Sequence, residues 1–145
     1  MHSYTVLVAA DDSLSGPDVV RAAALAAKGR AAYALHVLHA QPPLVTKGVY
    51  DDEAIRTIES EHLERVTERL RGLLDVANRE LGAESATGHL VTGDPTTAIL
   101  GVAKKLRADL IVVGTHDYRG LTRFLLGSVS EVIAKNAHCP VMLVR

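Results

Sequence analysis

The segments that decide the fold are A-D-L-I-V-V-G at Ala108–Gly114 and, after a loop rich in Gly and Arg, G-S-V-S-E-V-I at Gly127–Ile133. Within the first, Leu110–Gly114 is a short, almost continuous apolar run, typical of a strand buried on both faces of a parallel sheet. The second opens a helix predicted over Ser128–Asn136. A buried strand followed by a helix is the repeating unit of α/β folds.

The same alternation of strand and helix extends through the rest of the chain. The other predicted strands are Thr5–Ala10, Ala34–Ala40, His89–Thr92 and Pro140–Val144. The other predicted helices are Val19–Lys28 with Pro17 at its first turn, a long amphipathic helix from the acidic residues 51–53 to Leu81, and Pro95–Leu106. With no repeat and no linker, this order predicts one doubly wound α/β domain over residues 1–145.

Composition excludes several classes of protein. The 145 residues are 48% hydrophobic, and 16 basic against 17 acidic side chains give a net charge of −1, so neither a disordered chain nor a dedicated nucleic-acid binder is expected. The single cysteine, Cys139, cannot form an internal disulfide. Because the apolar runs are far shorter than a membrane span, we expect a cytoplasmic protein without a membrane partner.

Two predicted strands are followed directly by polar residues. The first ends at Ala9 and Ala10 and is followed by Asp11; the fourth ends at Gly114 and is followed by Thr115, His116 and Asp117. In doubly wound sheets ligands bind beyond the carboxyl ends of the strands, where the strand order reverses. If these two strands are neighbours there, both ends line one crevice.

Gly127 and Ser128 open the last predicted helix. A glycine permits close approach of a phosphate, and a helix start offers unpaired N–H groups and a positive dipole end. The same two residues are also explained without a ligand, as a tight turn at Gly127 and a helix cap at Ser128.

The span G-T-H-D-Y-R-G-L-T-R-F-L-L-G-S-V-S-E-V-I (Gly114–Ile133) resembles the signature of the universal stress protein family. ATP-binding members of that family carry Gly, two residues, Gly, nine residues, Gly and then Ser or Thr. Other motifs occur in the family's order over the whole chain: V-L-V-A-A-D-D-S, L-H-V, T-G-D-P-T-T-A-I-L, A-D-L-I-V-V-G and C-P-V-M-L-V. The resemblance implies a flavodoxin-like or Rossmann-like fold, with five parallel strands in the order 3-2-1-4-5.

The resemblance also implies a stress-response module that binds ATP, and it assigns roles to residues. Asp11 matches the acidic residue that faces the ribose and phosphates, and Val37 matches the position whose backbone contacts adenine. The phosphate and ribose shell corresponds to Gly114, Gly127, Ser128, Val129 and Ser130. The family pattern further implies a homodimer joined through strand 140–144, which also fits an apolar edge strand.

Asp117 departs from the pattern, because the family has a glycine there. A carboxylate beside a triphosphate repels it unless a cation intervenes, which makes Asp11 or Asp117 a candidate ligand for Mg²⁺. His116, Arg119 and Arg123 in the same loop are candidate phosphate contacts or solvated side chains.

Other interpretations of the sequence have less support. The seven histidines are scattered, His36 and His39 are predicted on opposite faces of one strand, and no metal site is expected. The chain has neither the G-x-G-x-x-G of a dinucleotide-binding dehydrogenase after its first strand nor a G-x-x-x-x-G-K-[ST] phosphate loop. A two-component receiver domain would need a lysine at the end of its last strand.

Three alternatives stay open: an ATP-binding module, a dimeric interaction module without nucleotide, and a weak ATPase. No catalytic residue is predicted.

Overall fold

A computed structural model describes residues 2–10, 16–48, 51–115 and 128–145. Strands and helices alternate along these segments: β1 (Tyr4–Ala9), α1 (Gly16–Lys28), β2 (Tyr33–Gln41), α2 (Asp52–Leu81), β3 (Thr87–Thr92), α3 (Pro95–Leu106), β4 (Leu110–Gly114), α4 (Ser128–Asn136) and β5 (Val141–Val144). The predicted bounds of α3, β4 and α4 are confirmed. The other predicted elements are present with ends that differ by a few residues.

The five strands form one sheet in the order β3-β2-β1-β4-β5, and every neighbouring pair is parallel. The register pairs Val8 of the central strand with Val37 on one side and with Val112 on the other. The predicted α/β architecture and strand order are therefore confirmed.

Each face of the sheet is covered by its own hydrophobic cluster. Val6 and Val8 of β1 pack with α1 and α2, whereas Leu7 between them packs with α3 and α4. Successive strand residues point to opposite faces, so one strand contributes to both clusters. All three β1 side chains are fully buried. No helix in the described part of the chain is both long and apolar enough to cross a membrane.

Short polar signals in the sequence define the ends of the helices. The Asp51 carboxylate accepts a hydrogen bond of 3.0 Å from the Glu53 N–H at the start of α2. Gly82 ends that helix with φ of 72°, a left-handed conformation that glycine adopts readily. Asp94 accepts 2.9 Å bonds from both the N–H and the hydroxyl of Thr97, so it caps α3 as predicted.

Candidate functional site

The carboxyl ends of β1 and β4 lie side by side in the middle of the sheet. The register pairs Ala9, the last residue of β1, with Val113, the residue before the last one of β4. β1 connects onward to β2 on one side of the sheet and β4 to β5 on the other, so the strand order reverses between them. This arrangement is the one predicted from the sequence, and it is where doubly wound sheets bind ligands.

Thr115, the residue after β4, is held in place by the edge strand. Its N–H donates to the Val144 carbonyl at 2.8 Å, and its hydroxyl lies 3.3 Å from the same oxygen. Gly114 before it is paired with Val144 in the sheet register. The carboxyl end of β4 is thus held by hydrogen bonds to β5.

Ala10, the residue after β1, is held by two contacts with β2. Its N–H donates to the Leu38 carbonyl at 3.2 Å, and its own carbonyl lies 3.1 Å from Nδ1 of His39. The His39 side chain is only 3% exposed. In this geometry the Nδ1–H of His39 donates to Ala10 and fixes the direction in which the chain leaves β1. His39 was predicted on the face opposite His36, but its contact with Ala10 has no signal in the sequence.

The structure places Val37 away from the open end of the sheet. Val37 is fully buried and is paired with Val8 on one side and Gly88 on the other. A base could contact its backbone only if the sheet came apart, so the prediction that Val37 contacts adenine disagrees with this geometry.

Ala40, three residues further along β2, lies at the open end of the sheet, where Val37 was expected. The backbone groups of successive residues in a parallel strand point alternately to its two neighbours. The Leu38 carbonyl bonds to Ala10 on the β1 side, and the Gln41 carbonyl bonds to Gly93 on the β3 side. The N–H and C=O of Ala40 therefore point to the β1 side, beyond the last paired residues, Ala9 and Leu38.

The three predicted site residues in the first turn of α4 differ in their exposure to solvent. Ser128 is exposed at the start of the helix, Val129 packs against the cluster beneath α3 and α4, and Ser130 is buried at 1% exposure. Only Ser128 combines an exposed hydroxyl with the positive end of the helix dipole.

The remaining predicted site residues lie outside the described residues. They are Asp11, His116, Asp117 and Gly127, together with the loop residues Arg119 and Arg123. Their roles, and that of Asp11 or Asp117 towards Mg²⁺, stay predictions.

Comparison with known proteins decides the family. The model of the universal stress protein family matches residues 3–145. The chain belongs to the universal stress protein family. A universal stress protein of Methanocaldococcus jannaschii is 34% identical over 113 residues, a match covering 78% of this chain and 64% of that protein.

Two solved universal stress protein structures resemble the fold and were determined with nucleotides. One, in complex with cAMP, is 26% identical with a TM-score of 0.74, covering 97% of this chain and 96% of that one. The other, from Archaeoglobus fulgidus in complex with dAMP, is 27% identical with a TM-score of 0.65, covering 99% and 98%. Both ligands contain adenine.

Replacing His39 tests how this universal stress protein holds the end of β1. His39→Leu replaces the imidazole with an apolar side chain of similar volume and leaves the Ala10 carbonyl without its side-chain donor, which should cost about 1–3 kcal/mol of unfolding free energy. Denaturant unfolding measures this cost. His138→Leu, at an exposed position, is the matched control and should change stability by less than about 0.5 kcal/mol. Equal stability of the two variants would contradict the anchoring role of His39.

Proposed function

We propose that this protein is a cytoplasmic, homodimeric stress-response module that binds an adenine nucleotide in the crevice beyond β1 and β4. The observation that carries the proposal is the adjacency of these two strand ends at the point where the strand order reverses. Ligands of doubly wound sheets bind at such points. Family membership and the adenine ligands of two similar proteins support the same choice.

The phosphates are assigned to the side of the crevice formed by β4 and α4. Ser128 supplies a hydroxyl and the helix start supplies N–H groups and a positive dipole end. Gly114 and Thr115 line the end of β4, and their fixed backbone requires no reorganisation on binding. From the sequence, Gly127 and His116 extend this phosphate shell, and Asp11 faces the ribose.

The base is assigned to the side formed by β1 and β2. Ala40 is half-buried, and its N–H and C=O point into the space beyond Ala10. A neighbouring donor and acceptor on one backbone residue match the N1 acceptor and N6 amino donor of adenine. Guanine has a donor and a carbonyl acceptor at the corresponding positions, so the same backbone groups would reject it.

We propose ATP as the nucleotide. Mg²⁺ is the ion that reduces the repulsion between the ATP phosphates and the carboxylates of Asp11 and Asp117. Magnesium is usually held by one or two carboxylates together with phosphate oxygens. Binding rather than hydrolysis is the activity proposed, because the sequence predicts no catalytic residue.

Calorimetric titration with ATP and with GTP, each with and without Mg²⁺, tests this function. We expect one ATP per chain, affinity for GTP at least tenfold weaker, and stronger ATP binding when Mg²⁺ is present. Absence of saturable ATP binding under all conditions would favour the alternative of a dimeric interaction module without nucleotide. Release of inorganic phosphate at a steady rate would favour the weak ATPase.

The dimer is assigned to the β5 edge of the sheet. Among the strands that the structure describes, β5 pairs with β4 alone, and its Met142 and Leu143 side chains are 37% and 36% exposed. An apolar edge strand with unpaired backbone groups favours pairing with another chain, and an equivalent strand of a second copy provides a two-fold symmetric partner.

A further inference from the structure

His36 on β2 and His89 on β3 form a close pair that includes none of the residues assigned to the nucleotide. Nδ1 of His36 lies 2.8 Å from Nε2 of His89, and the ring centroids are 5.0 Å apart. The two residues are separated by 53 positions in the sequence. Their proximity results from the pairing of β2 with β3, which a pattern along the chain does not reveal.

The sheet fixes both side chains on one face. Leu38 is paired with His89 in the register, and His36 precedes Leu38 by two residues, so all three point to the face covered by α3. Both histidines lie within paired strands and are half-buried, so solvent still reaches them.

The contact between the two rings brings two potential metal-binding nitrogens together. At 2.8 Å, Nδ1 of His36 and Nε2 of His89 form an N–H···N hydrogen bond in which one ring donates and the other accepts. A neutral imidazole is the commonest ligand of transition metals.

We propose that His36 and His89 together bind one divalent transition-metal ion such as Zn²⁺ or Ni²⁺, with water completing the coordination. Metal–nitrogen bonds of about 2.0–2.1 Å in tetrahedral geometry place two nitrogens roughly 3.3 Å apart, so the rings must separate by about half an ångström. The ring that donates the hydrogen bond changes tautomer, moving its proton to its other nitrogen. Both rings must also turn, because in the hydrogen bond each nitrogen points at the other, and the two lone pairs then face the ion with no proton released.

Two imidazoles make an exchangeable site rather than a structural one. Among residues 2–10, 16–48, 51–115 and 128–145, no group of three or more His, Cys, Asp or Glu side chains could hold a metal. Structural zinc sites usually have four protein ligands. Folding is therefore expected to be independent of the metal, and binding should be reversible by chelators.

Titration of chelator-treated protein with Zn²⁺ or Ni²⁺, without nucleotide, tests the site. The wild type should bind one equivalent, and His36→Gln and His89→Gln should each bind at least tenfold more weakly. Gln retains a hydrogen-bonding side chain, and a thermal melt of each variant without metal verifies that it is folded. His138→Gln, which removes an exposed histidine, is the matched control and should bind as the wild type does.

Three results would overturn the proposal. They are an absence of saturable metal binding by the wild type, binding that is unchanged in folded His36→Gln and His89→Gln, and equal loss in the His138→Gln control. If the Gln variants fail to fold, the imidazole proton resonances of the wild type test the site instead. Adding metal must then shift the resonances of His36 and His89 and leave those of His138 unchanged. ATP binding by the same samples tests the crevice separately.

Discussion

Ser128→Asp should lower ATP affinity at least tenfold while raising the stability of the protein. A carboxylate at the first residue of α4 interacts favourably with the helix dipole, by about 0.3–1 kcal/mol. The same carboxylate would lie beside the phosphates, where two like charges about 4 Å apart repel by roughly 1 kcal/mol in water and roughly 4 kcal/mol near a protein surface. Calorimetric titration with ATP and a thermal melt measure the two effects, which have opposite signs.

The matched control places the same charge at the other end of the same helix. Asn136→Asp should lower stability slightly, because the negative end of the dipole repels a carboxylate, and should leave ATP affinity unchanged. If Ser128→Asp melts at a higher temperature yet binds ATP as the wild type does, α4 does not face the phosphates and Ser128 is only a helix-terminal residue.

Leu143→Lys should convert the protein from a dimer to a folded monomer. A lysine on an edge strand is a device by which proteins prevent edge-to-edge pairing, and Leu143 is already partly exposed on β5. Light scattering should give twice the chain mass for the wild type and the single chain mass for the variant. Because Val144, and not Leu143, accepts the hydrogen bonds that hold Thr115 at the end of β4, ATP binding should persist in the monomer.

Thr87→Lys provides the control at the opposite edge of the sheet. Thr87 is exposed on β3, the other edge strand, and a lysine there should leave the dimer intact. A wild-type protein that is monomeric at micromolar concentration would contradict the proposed dimer. Dissociation by Thr87→Lys alone would instead place the interface at β3.

Local chemistry explains why the elements were predictable from the sequence. Asp94 followed by Pro95, and Gly82 after a long amphipathic run, are signals carried within a few residues: α3 begins at Pro95, and α2 ends at Leu81, just before Gly82. The apolar run Leu110–Gly114 likewise needed no long-range information. The left-handed Arg107 at the end of α3 was not predicted, because arginine gives no signal for that conformation.

The site was less predictable because it depends on register between strands. Leu-His occurs twice on β2, at residues 35–36 and 38–39, and composition does not reveal which copy lies at the open end of the sheet. The pairing of Ala9 with Leu38 decides this point and places Ala40, rather than Val37, beyond the end of β1. The His36–His89 pair was missed for the same reason, since its members meet only through the register of β2 with β3.

Nuclear magnetic resonance of the ¹⁵N-labelled protein during titration with ATP tests the central claim most directly, because it reports which backbone amides contact the nucleotide. We expect saturable shifts at Ala40, Thr115 and Ser128, with the amides of Val37 and Gly88 inside the sheet much less affected. Saturable shifts confined to other surfaces, or none at millimolar ATP, would contradict an adenine nucleotide site at the ends of β1 and β4.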